Sequence, residues 1–111
     1  MVVSMKKILI VEDEEVIRNE LKTLLENSGY QVFALDKFNN TKNDIMNIKC
    51  DLILLDINLP NINGELILKE VRKESNIPII MVTSRALEVD EVLSMSYGAD
   101  DYIIKPYNPT I

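Results

Sequence analysis

A chain of 111 residues in which 47% are apolar and 27% charged has the length and balance of one soluble globular domain. Histidine is absent, which excludes histidine-dependent nucleophile triads, imidazole bases and histidine zinc sites, and the single cysteine, Cys50, permits neither an internal disulfide nor a cysteine-rich zinc cluster. A net charge of −6 argues against direct contact with nucleic acid, whose phosphates are gripped by clustered Lys and Arg, and the apolar runs are far too short to cross a bilayer.

Ile8–Val11 is a continuous apolar run and the first expected strand. Val16, Ile17, Leu21, Leu24 and Leu25 then recur at helical spacing and stop at Gly29, which predicts the first helix and its end. Gln31–Leu35 is a weaker strand, and Asn40–Ile48 a helix with Ile45 and Ile48 on one face. After the strand Leu52–Leu55 comes a helix over Gly64–Glu74, with Leu66, Ile67, Leu68 and Val71 inside and Lys69, Glu70, Arg72 and Lys73 outside. The turn signal Asn76-Ile77-Pro78 leads into the strand Ile79–Val82. Leu87–Tyr97 reads as another helix before Gly98, and Tyr102–Ile104 as the last strand. Asn108-Pro109 then resembles the start of one more helix, with only Thr110 and Ile111 after it. Strands alternating with helices predict a parallel α/β sheet with right-handed crossovers. Continuous rather than alternating apolar strands predict a sheet covered on both faces.

In such sheets ligands gather at the carboxyl ends of the strands. The polar residues just past each run are therefore informative: Glu12 and Asp13, then Asp56, then Thr83 and Ser84, then Lys105 and Pro106. Three crowded acids repel unless a cation sits among them, and an all-oxygen donor set suits a hard ion such as Mg²⁺. A hydroxyl and an ammonium beside them suit the oxygens of a phosphoryl group attacked by a carboxylate, giving an aspartyl phosphate. Taken singly each piece has a plainer reading: Glu12 to Glu15 as an acidic helix start, Asp56 as a turn residue, Thr83 and Ser84 as helix caps, Lys105 as a solvated charge, Tyr102 as core.

Together the pieces are specific. Lys7-Ile8-Leu9-Ile10-Val11-Glu12-Asp13-Glu14, Asp56-Ile57-Asn58-Leu59-Pro60 with Gly64, and Gly98-Ala99-Asp100-Asp101-Tyr102-Ile103-Ile104-Lys105-Pro106 resemble the receiver domain of two-component response regulators over nearly the whole chain. The resemblance implies a flavodoxin-like, doubly wound α/β fold, five parallel strands in the order 2-1-3-4-5, with residues 1–111 forming one receiver that lacks its last helix. It makes Asp56 the phosphoacceptor, attacking the phosphohistidine of a sensor histidine kinase with Mg²⁺ or Mn²⁺ present. Asp13 becomes the direct metal ligand and Glu12, in place of the commoner Asp, the acid acting through water, with Asp56 and the backbone carbonyl of Asn58 completing the set. Lys105 and Thr83 would hold the phosphoryl oxygens, Tyr102 would turn inward as Thr83 moves, and Asn58 and Arg85 would tune the lifetime of the phosphoryl group.

The segment Gly98 to Tyr102 with Lys105-Pro106 looks like receivers joined to winged-helix DNA-binding domains, so transcriptional control through a C-terminal domain absent from this chain is the first expectation. A standalone phosphorelay or chemotaxis-type receiver is the alternative. A Mg²⁺-dependent phosphatase with an Asp nucleophile is the rival from another class, but such enzymes carry a second Asp two residues on, where this chain has Asn58. A receiver degenerate in its chemistry is the third, opposed by Glu12, Asp13, Asp56, Thr83 and Lys105 all being present. The expected partners are the sensor kinase and, once phosphorylated, a second copy of the chain; no membrane or nucleic-acid contact is expected of this domain. One cysteine and no secretory segment in Met1–Lys7 make the expected location cytoplasmic.

Overall fold

The computed structural model describes residues 6–60, 62–83 and 95–104, the side chains of Thr83 and Ile104 excepted. The five apolar runs form β1 (Lys7–Val11), β2 (Gln31–Ala34), β3 (Leu52–Asp56), β4 (Ile79–Thr83) and β5 (Asp101–Ile104), and three described helices lie between them, α1 (Glu15–Asn27), α2 (Thr41–Asn47) and α3 (Gly64–Arg72). All strand pairs are parallel and the order is β2-β1-β3-β4-β5, the doubly wound arrangement expected from the sequence.

Why the strands read as unbroken apolar runs is visible in the two cores. Successive side chains point to opposite faces. Leu9 and Val11 of β1, Ile53 and Leu55 of β3, and Ile79 and Met81 of β4 pack with Ile45 of α2 and Ile67, Leu68 and Val71 of α3. Their neighbours Ile8, Ile10, Leu54 and Val82 point the other way, against Leu21 of α1. Both faces therefore need apolar residues, which removes any polar alternation. On the α1 face, Ile8, Leu24, Leu54, Ile80, Val82 and Ile103 line an apolar cavity of about 650 Å³.

Local chemistry sets the element ends. After α1, Gly29 takes φ +97°, with its N–H on the Glu26 carbonyl and the Tyr30 N–H on the Leu25 carbonyl, the paired bonds of a Schellman stop. At the start of α3, the Asn63 side chain accepts from the Glu65 N–H at 2.7 Å. Its end is earlier than the sequence suggests, at Arg72 rather than Glu74, because Lys73 N–H turns to the Glu70 carbonyl and Glu74 N–H to Val71, tightening the last turn.

Two inward assignments are corrected. Val16 is 70% exposed and Leu66 52% exposed, while Glu65 is buried. Helical periodicity explains each: Ile17 and Leu21 fix the inner face of α1 one residue past Val16, and Leu68 and Val71 fix that of α3, which brings Glu65, three residues before Leu68, inward and turns Leu66 out. Of the helix expected over Leu87–Tyr97 only Met95 and Ser96 are described as helical, with Tyr97 in the turn after them. The rest of that helix and the helix start at Asn108-Pro109 lie outside the described residues.

Candidate functional site at the carboxyl edge of the sheet

β1 and β3 are adjacent, with Val11 opposite Leu55. The chain runs outward from this pair in both directions, so the crevice where strand order reverses opens at their carboxyl ends. Glu12 and Asp13 leave β1 there and Asp56 closes β3. One carboxylate oxygen from each lies within 4.8 Å of the others; Glu12 and Asp56 are buried and Asp13 faces solvent. Ionised groups at that separation or closer repel by about 3.5 kcal/mol or more per pair at an effective dielectric near 20, which a divalent cation would reverse.

The backbone around them is held in detail. Asn58 N–H donates to Asp56 Oδ1 at 3.1 Å, and Glu14 N–H to Glu12 Oε2 at 3.3 Å. Arg18, one turn into α1, donates from Nη1 to the Glu12 carbonyl at 3.2 Å. Beyond β3 the chain doubles back, with Asn58 bridging Asn63 and Gly64 N–H donating to the Ile57 carbonyl at 2.7 Å. This brings Gly64 onto the backbone of Asp56 and Ile57. A Cβ on Gly64 would collide with the Asp56 carbonyl oxygen and sit 2.9 Å from the Asp56 carbonyl carbon and the Ile57 Cα. Glycine is thus required by close approach, and the start of α3 is set directly against Asp56.

Of the residues singled out in the sequence, the structure brings the three strand-end acids Glu12, Asp13 and Asp56 together in one cluster. Asn58 joins it through its N–H. Thr83 closes β4 opposite Ile104, one strand over from Asp56, but its side chain is outside the described residues, as are Ser84, Arg85, Lys105 and Pro106. Tyr102 lies on β5 opposite Met81, half-buried against the core of the α2–α3 face. The site roles of Arg18 and Asn63 escaped sequence reasoning. Asn63 had a usable signal, a capping side chain directly before Gly64; Arg18 had none, since its reach to Glu12 depends on how α1 leaves the sheet.

The donors fit a small, hard, oxygen-seeking cation, since carboxylates of this density with a carbonyl-bearing loop beside them suit Mg²⁺ or Mn²⁺ and offer nothing soft.

Comparison with known proteins agrees with this geometry. The response regulator receiver domain family matches residues 8–110. The aerobic respiration control protein ArcA of Escherichia coli K12 is 44% identical over 102 residues, covering 92% of this chain and 43% of ArcA, and the transcriptional regulatory protein YxdJ of Bacillus subtilis is 41% identical over 104 residues, covering 94% and 45%. The crystal structure of a CheY-like response regulator receiver domain protein from Methanospirillum hungatei superposes with a TM-score of 0.87 at 38% identity, covering 96% of this chain and 86% of that one. The chain spans less than half the length of the curated relatives it matches. With sheet order, acidic cluster and sequence all in agreement, the chain belongs to the response regulator receiver domain family.

Proposed function

We propose that this receiver is a phosphorylation switch in which Asp56 accepts a phosphoryl group from the phosphohistidine of a sensor histidine kinase. The observation that carries this reading is the convergence of Glu12, Asp13 and Asp56 within 4.8 Å at the carboxyl edge. An Asp56 carboxylate oxygen attacks phosphorus, the phosphorus–nitrogen bond of the donor breaks, and its electron pair returns to the kinase imidazole. Glu12, Asp13, Asp56 and the Asn58 carbonyl would hold Mg²⁺ or Mn²⁺, whose charge offsets that of the phosphoryl oxygens. Asn58 N–H already donates to Asp56 Oδ1, which orients the carboxylate without a proton relay. An amide at this place is no acid or base, which favours a switch over a turning-over phosphatase.

The new group carries about −1.5 to −2 charges and accepts strong hydrogen bonds. Lys105 and the Thr83 hydroxyl are the donors assigned to it, with Tyr102 following Thr83 inward and Asn58 and Arg85 setting the lifetime of the acyl phosphate. The altered surface then serves a second copy of the chain and an output domain outside these residues, giving transcriptional control in the cytoplasm. YxdJ, a transcriptional regulatory protein by name, supports that output.

Beryllofluoride with Mg²⁺ tests the reading: backbone NMR shifts around Asp56 and β5 are expected in the wild type and not in Asp56→Ala. Equal shifts in both proteins would reject Asp56 as the acceptor.

A further inference from the structure

Outside the acidic site, Arg72, at the far end of the sheet, makes four side-chain hydrogen bonds. Its Nε donates to the Gly98 carbonyl at 2.8 Å, Nη1 to the Ile77 carbonyl at 2.6 Å and the Ser75 carbonyl at 3.3 Å, and Nη2 to Asp100 Oδ2 at 2.9 Å. The same Asp100 oxygen accepts from Ile79 N–H at 2.8 Å, while Asp100 N–H donates to the Ile79 carbonyl at 2.8 Å. One guanidinium thus joins the end of α3 to the residues leading into β4 and to the turn leading into β5. A planar fork with five donors can do this and an ammonium cannot.

The turn is shaped to the fork. Gly98 has φ +106°, and a Cβ there would meet the Arg72 Cγ at 3.0 Å and Nε at 3.1 Å. One helical turn earlier, Lys69 Nζ lies 5.7 Å from the Tyr97 ring, a second tie between α3 and the same turn. The opposite end of α3 is equally fixed, because Gly64 is seated on the Asp56 backbone. Nine residues at 1.5 Å each make α3 a rod of about 13 Å. It touches the acidic strand end at one tip and the start of β5 at the other.

We propose that Arg72 is a positioning residue for the switch: it fixes the base of β5 to α3, so that an event at Asp56 turns the Tyr102 ring at a defined place instead of shifting the strand that carries it. Tyr102 is the second residue of β5, two beyond Asp100, so any slack at Asp100 reaches it directly. The proposal rests on Asp56 being the acceptor and Tyr102 the responding ring. It adds that the amplitude of the Tyr102 response depends on a clamp at the other end of the sheet from the phosphoryl group.

The test uses the full chain, with Arg72→Lys, Arg72→Met and Asp100→Asn beside the wild type. Amide hydrogen exchange reports the clamp, Mg²⁺ titration the acidic site, and the NMR signals of the Tyr102 ring the response to beryllofluoride with Mg²⁺. In Arg72→Met the Asp100 amide should exchange about tenfold faster or more relative to that of Ile10, a β1 residue away from the clamp. Mg²⁺ affinity should stay within about twofold of wild type, since the clamp and the carboxylates lie at opposite ends of the sheet. The Tyr102 displacement should fall to about half or less, and Arg72→Lys should not restore it, because charge without the fork cannot reach the three carbonyls. Asp100→Asn, which leaves those carbonyl bonds in place, should give a smaller effect and serves if an Arg72 variant fails to fold. A full wild-type Tyr102 displacement in variants with accelerated exchange overturns the proposal, as does unaltered exchange in Arg72→Met. A wild-type ring that ignores beryllofluoride while the signals around Asp56 shift instead overturns Tyr102 as the responding ring, and a wild type in which neither responds overturns the assignment of Asp56, which separates these failures from that of the clamp.

Discussion

Replacing Gly64 by alanine puts the tightest contact of the site under direct strain. The added methyl would strike the Asp56 carbonyl oxygen, with the Asp56 carbonyl carbon and Ile57 Cα at 2.9 Å. All three are backbone atoms, so no rotamer change relieves the clash, and the helix start must move. Overpacking of this kind costs about 1–3 kcal/mol. Displacement of the 2.7 Å bond from Gly64 N–H to the Ile57 carbonyl costs about 1 kcal/mol more. Alanine returns up to about 1 kcal/mol through its helix propensity. The net loss is about 1–3 kcal/mol, or a melting temperature lower by roughly 5–15 °C for a domain of this size. Because two of the three strained atoms belong to Asp56, Mg²⁺ affinity should fall along with stability. Urea unfolding followed by circular dichroism, and calorimetric Mg²⁺ titration, measure the two effects. Gly29→Ala is the control: no atom lies within 4 Å of its Cβ, and only its φ of +97° is unfavourable. It should lose about 1–2 kcal/mol with Mg²⁺ affinity intact. Gly64→Ala matching wild type in both measurements would refute the packing argument.

Asn63→Ala removes the α3 cap that accepts from Glu65 N–H and should cost about 1 kcal/mol in urea unfolding, with Asn63→Asp retaining most of it; an unchanged midpoint in Asn63→Ala would count against the cap. Burial pushes the Cys50 thiol up from its ordinary value, aided by the Asp51 charge and only partly offset by the Leu52 N–H, so the thiol stays protonated at neutral pH. Its alkylation by iodoacetamide at pH 8 should be slower than that of glutathione, and an equal rate would contradict the burial. Lys73 donates to Glu70 and holds its carboxyl below the ordinary 4.5. A lowered acid pKa contributes stability above the unfolded value and loses it as pH falls through the folded one. The small difference between wild type and Lys73→Met should therefore be present at pH 7, vanish in acid and shrink with salt; a difference that grows in acid would refute the sign.

The fold was largely legible because burial on two faces leaves a simple trace, unbroken apolar strands such as Ile8–Val11 and Ile79–Val82 separated by helical spacing. The cluster of Glu12, Asp13 and Asp56 was legible for a related reason, since these acids end or come just after such runs and parallel strands align their ends. The features that escaped were set by helix rotation and by long-range contact. Glu65 and Leu66 differ from their apparent preferences because Leu68 and Val71 decide the inner face of α3. Arg72, which the sequence marks as a solvated charge, turns inward because carbonyls from Ser75, Ile77 and Gly98 converge on it. No local pattern encodes that convergence; it exists only once β4 and β5 are side by side.

Phosphorylation of Asp56 within its acidic cluster is the central claim. Incubation of the chain with acetyl phosphate and Mg²⁺, followed by intact-mass analysis and peptide mapping after borohydride trapping, addresses it without any partner protein. The wild type should gain one phosphoryl group, located at Asp56, dependent on Mg²⁺ and lost in Asp56→Ala. A phosphoryl group placed on another residue, or carried equally by Asp56→Ala, would contradict it.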